Sequence, residues 1–144
     1  MRRVVLLSAL ITSAIFSVVV YTGCIKPVDE CATVTCYNGG VCVNGNCNCT
    51  GDYTGTNCQT RKCEANNTAK VRFMNKTGTS QTYSVLWDGS VITTLGPGAT
   101  SEYYTVAAGT HTLHFKIANS TAEACTPSTP NLAVCSSMDY WCTK

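Results

Sequence analysis

Charge is scarce in this chain: Asp, Glu, Lys and Arg together make up 12% of its 144 residues. From residue 24 onward eight Lys/Arg balance eight Asp/Glu, so the net charge of +2 comes from Arg2 and Arg3 alone. The sequence carries no basic stripe to meet a phosphate backbone, which argues against nucleic acid as a partner. It also has no polybasic run suited to an anionic lipid surface. Histidine occurs only twice, at His111 and His114. On a strand a spacing of three sends the two rings to opposite faces, so no shared metal or general-base role is expected, and both read as surface or edge residues. Apart from Asp29-Glu30 the acids are scattered. There is no Gly-x-Gly-x-x-Gly, no Walker pattern and no Cys-x-x-Cys redox pair. These absences predict a protein that is not an enzyme and takes no cofactor and no metal. From residue 63 to 144 helical periodicity is missing too.

Cysteine, by contrast, is abundant, with eleven residues. In a short exported chain that number implies a disulfide scaffold, and an odd count leaves one thiol to be explained. Met1-Arg2-Arg3 followed by an apolar run from Val4 to Val20 reads as the charged and apolar regions of a signal peptide, residues 1–23. The 17-residue run also stands at the short limit for a membrane span, so a single-span anchor is the competing reading. Thr22-Gly23-Cys24 tips the balance toward the signal peptide. Small residues directly before a cysteine resemble the lipobox of bacterial lipoproteins, in which the signal is cut before the cysteine and the thiol takes a diacylglycerol with palmitate-type chains. Tyr21 stands where that pattern usually has an aliphatic residue. The resemblance implies that Cys24 is the lipid attachment site and that the partner there is a membrane. Each buried CH₂ contributes about 0.8 kcal/mol, and two or three chains anchor a protein stably. A tether follows, residues 24–30, with Pro27 and two acids. Acids behind the lipidated cysteine resemble the surface-export signals of Bacteroidetes lipoproteins.

Residues 31–58 hold six cysteines spaced C-x4-C-x5-C-x4-C-x-C-x8-C. Asn38-Gly39-Gly40 precedes the third, and Gly51-x-Tyr53-x-Gly55 lies between the fifth and sixth. The glycines permit positive φ in tight turns, and Asn44-Gly45 is a strong hairpin signal. Tyr53 is one of few large side chains available to cover the sulfurs. A segment this short cannot bury enough apolar surface to fold unaided. Spacing alone leaves fifteen connectivities open. The segment closely resembles the epidermal growth factor-like (EGF-like) module, and that resemblance implies the pairs Cys31–Cys42, Cys36–Cys47 and Cys49–Cys58. Some such modules bind calcium. Here Asp29 and Glu30 supply only part of the oxygen set that calcium needs, so no metal site is expected.

From residue 63 to 144, β-branched and aromatic runs are broken by turn residues every 8–12 positions, which predicts an all-β, sandwich-like domain. Val71 and Phe73 alternate with Arg72 and Met74. Tyr83, Val85 and Trp87 share a face and lead through Asp88-Gly89 into residues 90–95. A strand is expected at 102–106, another with Leu113, Phe115 and Ile117 on one side, and a last one from Ser137. The order of these runs loosely resembles small bacterial β-sandwich modules. Four cysteines remain, with three possible connectivities. Counting antiparallel strands alternately up and down places Cys63 near Cys142 and leaves Cys125 with Cys135. Parity on the last strand turns Met138, Tyr140 and Cys142 inward and Asp139 and Trp141 outward. Tyr103 and Tyr104 cannot both be buried on a half-exposed strand. Trp141, Tyr103 and Tyr104 are therefore the candidate binding aromatics, since Trp and Tyr offer a flat apolar surface with a polar tip. The expected function is that of a lipid-anchored bacterial envelope or cell-surface protein with a binding or adhesion domain for a protein or glycan. The alternatives are a purely structural envelope component, or a single-span membrane protein with an EGF-like domain.

Overall fold

The computed structural model describes residues 28–144. The expected signal peptide, the lipid attachment at Cys24 and the tether up to Pro27 lie outside the described residues. The fold is mainly β and rich in disulfides, and the single helical turn among the described residues is Lys62–Ala65 (α1).

The cysteine-rich segment builds two small hairpins. Val41–Val43 (β1) pairs with Asn46–Asn48 (β2), with Cys42 opposite Cys47. The connecting residues Asn44 and Gly45 have φ of 48° and 73°, as a two-residue hairpin turn with matching twist requires. Tyr53–Thr54 (β3) pairs antiparallel with Thr60–Arg61 (β4). Bridges join Cys31 to Cys42, Cys36 to Cys47 and Cys49 to Cys58. The two glycines before Cys42 do different work. Gly39 has φ of 76°, whereas Gly40 is needed for space: a Cβ there would stand 2.7 Å from the Cys58 sulfur.

Residues 66–144 form eight strands: Thr68–Asn75 (β5), Tyr83–Trp87 (β6), Ser90–Leu95 (β7), Tyr104–Ala107 (β8), Gly109–Thr110 (β9), Leu113–Ile117 (β10), Asn131–Leu132 (β11) and Ser137–Cys142 (β12). β8 thus starts two residues later than the aromatic run suggested. Two three-stranded sheets, ordered β12-β5-β8 and β10-β6-β7, are joined by the short pair β9-β11. Strict alternation along β5 and β6 buries Val71, Phe73, Tyr83, Val85 and Trp87. Leu113 and Phe115 of β10 complete the same core. Phe73 lies at its centre, with ring centroids 5.8 Å from Trp87 and 6.4 Å from Phe115. Asp88 and Gly89, at φ of 51° and 79°, turn β6 into β7. Two buried polar groups are satisfied locally. Asn75 donates to the carbonyls of Gln81 and Gly96, and the Tyr83 hydroxyl is hydrogen-bonded to Thr77 and Thr79.

The last four cysteines pair differently from the expectation. Cys63 bonds to Cys135, and Cys125 to Cys142, in place of Cys63–Cys142 and Cys125–Cys135. The reason is strand direction. β12 runs parallel to β5, with Ser137 beside Lys70 and Cys142 beside Asn75. Parallel pairing brings the starts of the two strands together, and the Cys135 amide donates to the Thr68 carbonyl at 2.8 Å. Cys135 therefore meets Cys63 at one end of the sheet, while Cys142 is carried to the other end, where Cys125 waits. No bridge among the described residues links residues 31–58 to residues 63–142.

Candidate binding face

The inward side of β5 is consumed by the core, which leaves its alternate residues, Lys70, Arg72 and Met74, on the outer side of the β12-β5-β8 sheet. Register sets Asp139 beside Arg72 and Trp141 beside Met74 on that side. Trp141 is 56% exposed and Tyr103 is 44% exposed. Each ring has a cation over it. The Lys76 ammonium is 5.2 Å from the Trp141 ring centroid, and the Arg72 guanidinium carbon is 4.6 Å from that of Tyr103. Lys76 is held in place because its amide donates to the Cys142 carbonyl at 2.9 Å.

Arg72, Asp139 and Tyr103 form one hydrogen-bonded group. Arg72 donates two bonds to Asp139, at 3.1 and 2.5 Å, and the Tyr103 hydroxyl donates to the same carboxylate at 3.0 Å. The Arg72 guanidinium holds the Asp139 carboxyl below the usual carboxylate range, with the Tyr103 hydroxyl adding to the effect. Asp139 in turn raises the Arg72 guanidinium and the Tyr103 phenol. The ion pair thus remains charged at neutral pH and holds Tyr103 at both its hydroxyl and its ring.

Two of the expectations for this region change. Tyr104 is not on the exposed face. It is half-buried, with its ring 6.1 Å from that of Phe73, because β8 pairs Tyr104 with Val71 of the inward row. Met138 shares the inward parity of Tyr140 and Cys142, yet it is 45% exposed, because it stands near the start of an edge strand. Cys142 is fully buried and Tyr140 packs on the core.

The two histidines do not share one strand: His114 is on β10, whereas His111 lies between β9 and β10 and is no surface residue. It is buried against Trp87, with ring centroids 4.8 Å apart. Its Nδ1 lies 2.7 Å from the Asp88 carboxylate and its Nε2 3.0 Å from the Ala107 carbonyl oxygen. His114, half-exposed, lies 2.9 Å from the Glu123 carboxylate, which also takes Lys116 at 3.6 Å. Neither the Arg72–Asp139 pair, 67 residues apart, nor the Asp88–His111 pair, 23 apart, leaves a mark in the sequence. Among the described residues no group of three or more His, Cys, Asp or Glu side chains is placed to hold a metal ion.

At the other end of the face, a cleft of about 490 Å³ lies where the β3-β4 hairpin and α1 meet the starts of β5 and β12. Arg61, Lys62, Lys70, Asp52 and Ser136 line it. The Ser136 hydroxyl is buried without a hydrogen-bond partner among the described residues. No known protein family, curated protein or solved structure matches the chain.

Proposed function

We propose that this chain is a bacterial, Bacteroidetes-type lipoprotein, held by an acylated Cys24 at the outer membrane or cell surface. An EGF-like module, residues 31–58, spaces a binding domain, residues 63–144, away from the membrane. The domain binds a protein or glycan through the outer side of its β12-β5-β8 sheet. The observation that carries this reading is Trp141: a large aromatic side chain left 56% exposed on an edge strand, beside a second exposed ring locked in place by an ion pair. Surface Trp and Tyr that are both exposed and rigid lose little side-chain freedom when a ligand covers them, which favours their use as anchors.

Two experiments test the reading. Screening the full chain in non-ionic detergent against glycan and protein arrays should find a ligand whose binding falls on Trp141→Ala by the hot-spot scale of about 2 kcal/mol or more. Array binding that never depends on Trp141 or Tyr103 would leave the structural-component alternative standing. For the anchor, Cys24→Ser should abolish lipid labelling and leave an unprocessed precursor. A mutant that is processed and membrane-bound as before would exclude Cys24.

A further inference from the structure

We infer that the ligand of this face is a linear acidic polysaccharide, lying along β5 from the junction cleft to Trp141. The inference rests on reading the face as a binding surface and names what it binds. Seven Lys and Arg side chains fall among the described residues. Five of them, Arg61, Lys62, Lys70, Arg72 and Lys76, line the cleft or the outer row of β5 and its continuation. Three acids share this surface, Asp52 in the cleft and Glu64 and Asp139 on the two arginines, which leaves an excess of two positive charges. Arg61 and Arg72 are committed to Glu64 and Asp139. Lys62, Lys70 and Lys76 are exposed and none forms an ion pair among the described residues, though the Lys62 ammonium donates to the Gly51 carbonyl and that of Lys76 lies over the Trp141 ring. The opposite sheet differs, for its Lys116 is neutralised by Glu123.

The arrangement selects a ligand class. Alternate residues on a strand recur about every 6.5–7 Å, so Lys70 and Lys76 stand roughly 20 Å apart along β5. A ligand that meets both, and Lys62 beyond, must be extended and must carry negative charge at intervals. Between the lysines the surface presents Tyr103 and Trp141, rings whose faces are apolar and whose edges are polar. Sugar rings offer matching apolar faces, and uronate or sulfated sugars add the anions. The face is open rather than pocketed, which suits a chain passing over it. A peptide of acidic residues alone, such as polyglutamate, supplies carboxylates without flat apolar faces to cover Trp141.

The test uses the full chain in non-ionic detergent with polygalacturonate and chondroitin sulfate as acidic probes. Fully methyl-esterified polygalacturonate is the uncharged control, and polyglutamate and oligo-dT are competing polyanions. Binding of at least one acidic polysaccharide is expected, with the esterified form failing. Affinity should fall about tenfold or more between roughly 50 and 500 mM salt, since the contacts are surface charges. Lys70→Gln with Lys76→Gln should weaken binding by roughly fivefold or more while lowering the melting temperature by no more than a few degrees, the scale of the lost Lys76–Trp141 contact, and Lys116→Gln should not alter binding. Equal binding of the esterified polymer, stronger binding of polyglutamate or oligo-dT, indifference to the lysine pair, or no binding of either acidic probe overturns the inference. A neutral glycan or a protein bound through Trp141 but not through the lysines would overturn it while sparing the reading of the face. A ligand indifferent to Trp141 and Tyr103 would overturn both.

Discussion

The two halves of this molecule solve the same problem with different physics. Between residues 28 and 58 a single side chain, Cys58, is buried. Beyond residue 63 eleven buried residues form one contiguous core. The first half closes loops of 9 to 11 residues with three bridges. The second closes one span of 72 residues and one of 17 with two. A cross-link over about ten residues removes roughly 2.5–3 kcal/mol of chain entropy, and one over about 70 removes ~4–5 kcal/mol. The short segment has little besides those bridges, so covalent closure is its fold. The larger domain has a packed core as well; Cys63–Cys135 ties the starts of the parallel pair, and Cys125–Cys142 ties the end of β12 to the segment that follows β10.

Reduction is the strongest way to break the symmetry. Full reduction should unfold residues 31–58 outright and leave a destabilised but still protected β core. Hydrogen exchange before and after reduction checks this, and simultaneous loss of protection in both halves would show that the core also depends on its bridges. Next comes Phe73→Ala. It empties the centre of the core and should cost about 3–5 kcal/mol in the β domain. Peptide mapping should find the three bridges of residues 31–58 intact.

The converse change is Gly40→Ala. It forces a Cβ to within 2.7 Å of the Cys58 sulfur, an overpacking expected to cost about 1–3 kcal/mol. Its effect should appear as easier reduction of Cys49–Cys58, with the melting of the β domain unmoved.

Acid should act on the β domain through Asp88 and Asp139. The hydrogen bond to His111 lowers the Asp88 carboxyl, and the pair with Arg72 lowers that of Asp139. A carboxyl with a depressed folded-state pKa contributes stability above its unfolded pKa, which is lost as pH falls through the folded value. Melting temperatures should therefore drop below about pH 4, near the ordinary aspartate range, and Asp139→Asn should flatten that decline. An unchanged acid limb in that variant would remove the ion pair from the account.

The smallest effect belongs to Trp141→Ala. With more than half of the side chain exposed, stability should move by no more than about 0.5–1 kcal/mol, the scale of a surface substitution with a lost cation–π contact. A loss of several kcal/mol would make Trp141 a packing residue and remove it as an anchor.

Turn chemistry and strand alternation were legible from residues alone because both act within a few positions. Asn44-Gly45 and Asp88-Gly89 adopt positive φ at both residues of each turn, and the period of two in Val71, Phe73, Tyr83, Val85 and Trp87 points those side chains inward whatever their partners. The outward parity of Trp141 followed from the same rule. Tertiary structure alone decided that β12 lies parallel to β5, since a parallel partner is chosen by which edge can be buried and no turn joins the two strands. From that one choice came the Cys63–Cys135 and Cys125–Cys142 bridges, the Arg72–Asp139 pair and the seat of Tyr103 upon it. It also set Trp141 beside the lysine-bearing row of β5. A chain of balanced charge could show no basic stripe in its sequence, because the lysines that make one are brought into line only when β5 turns its alternate residues outward and the sheet fixes what lies beside them.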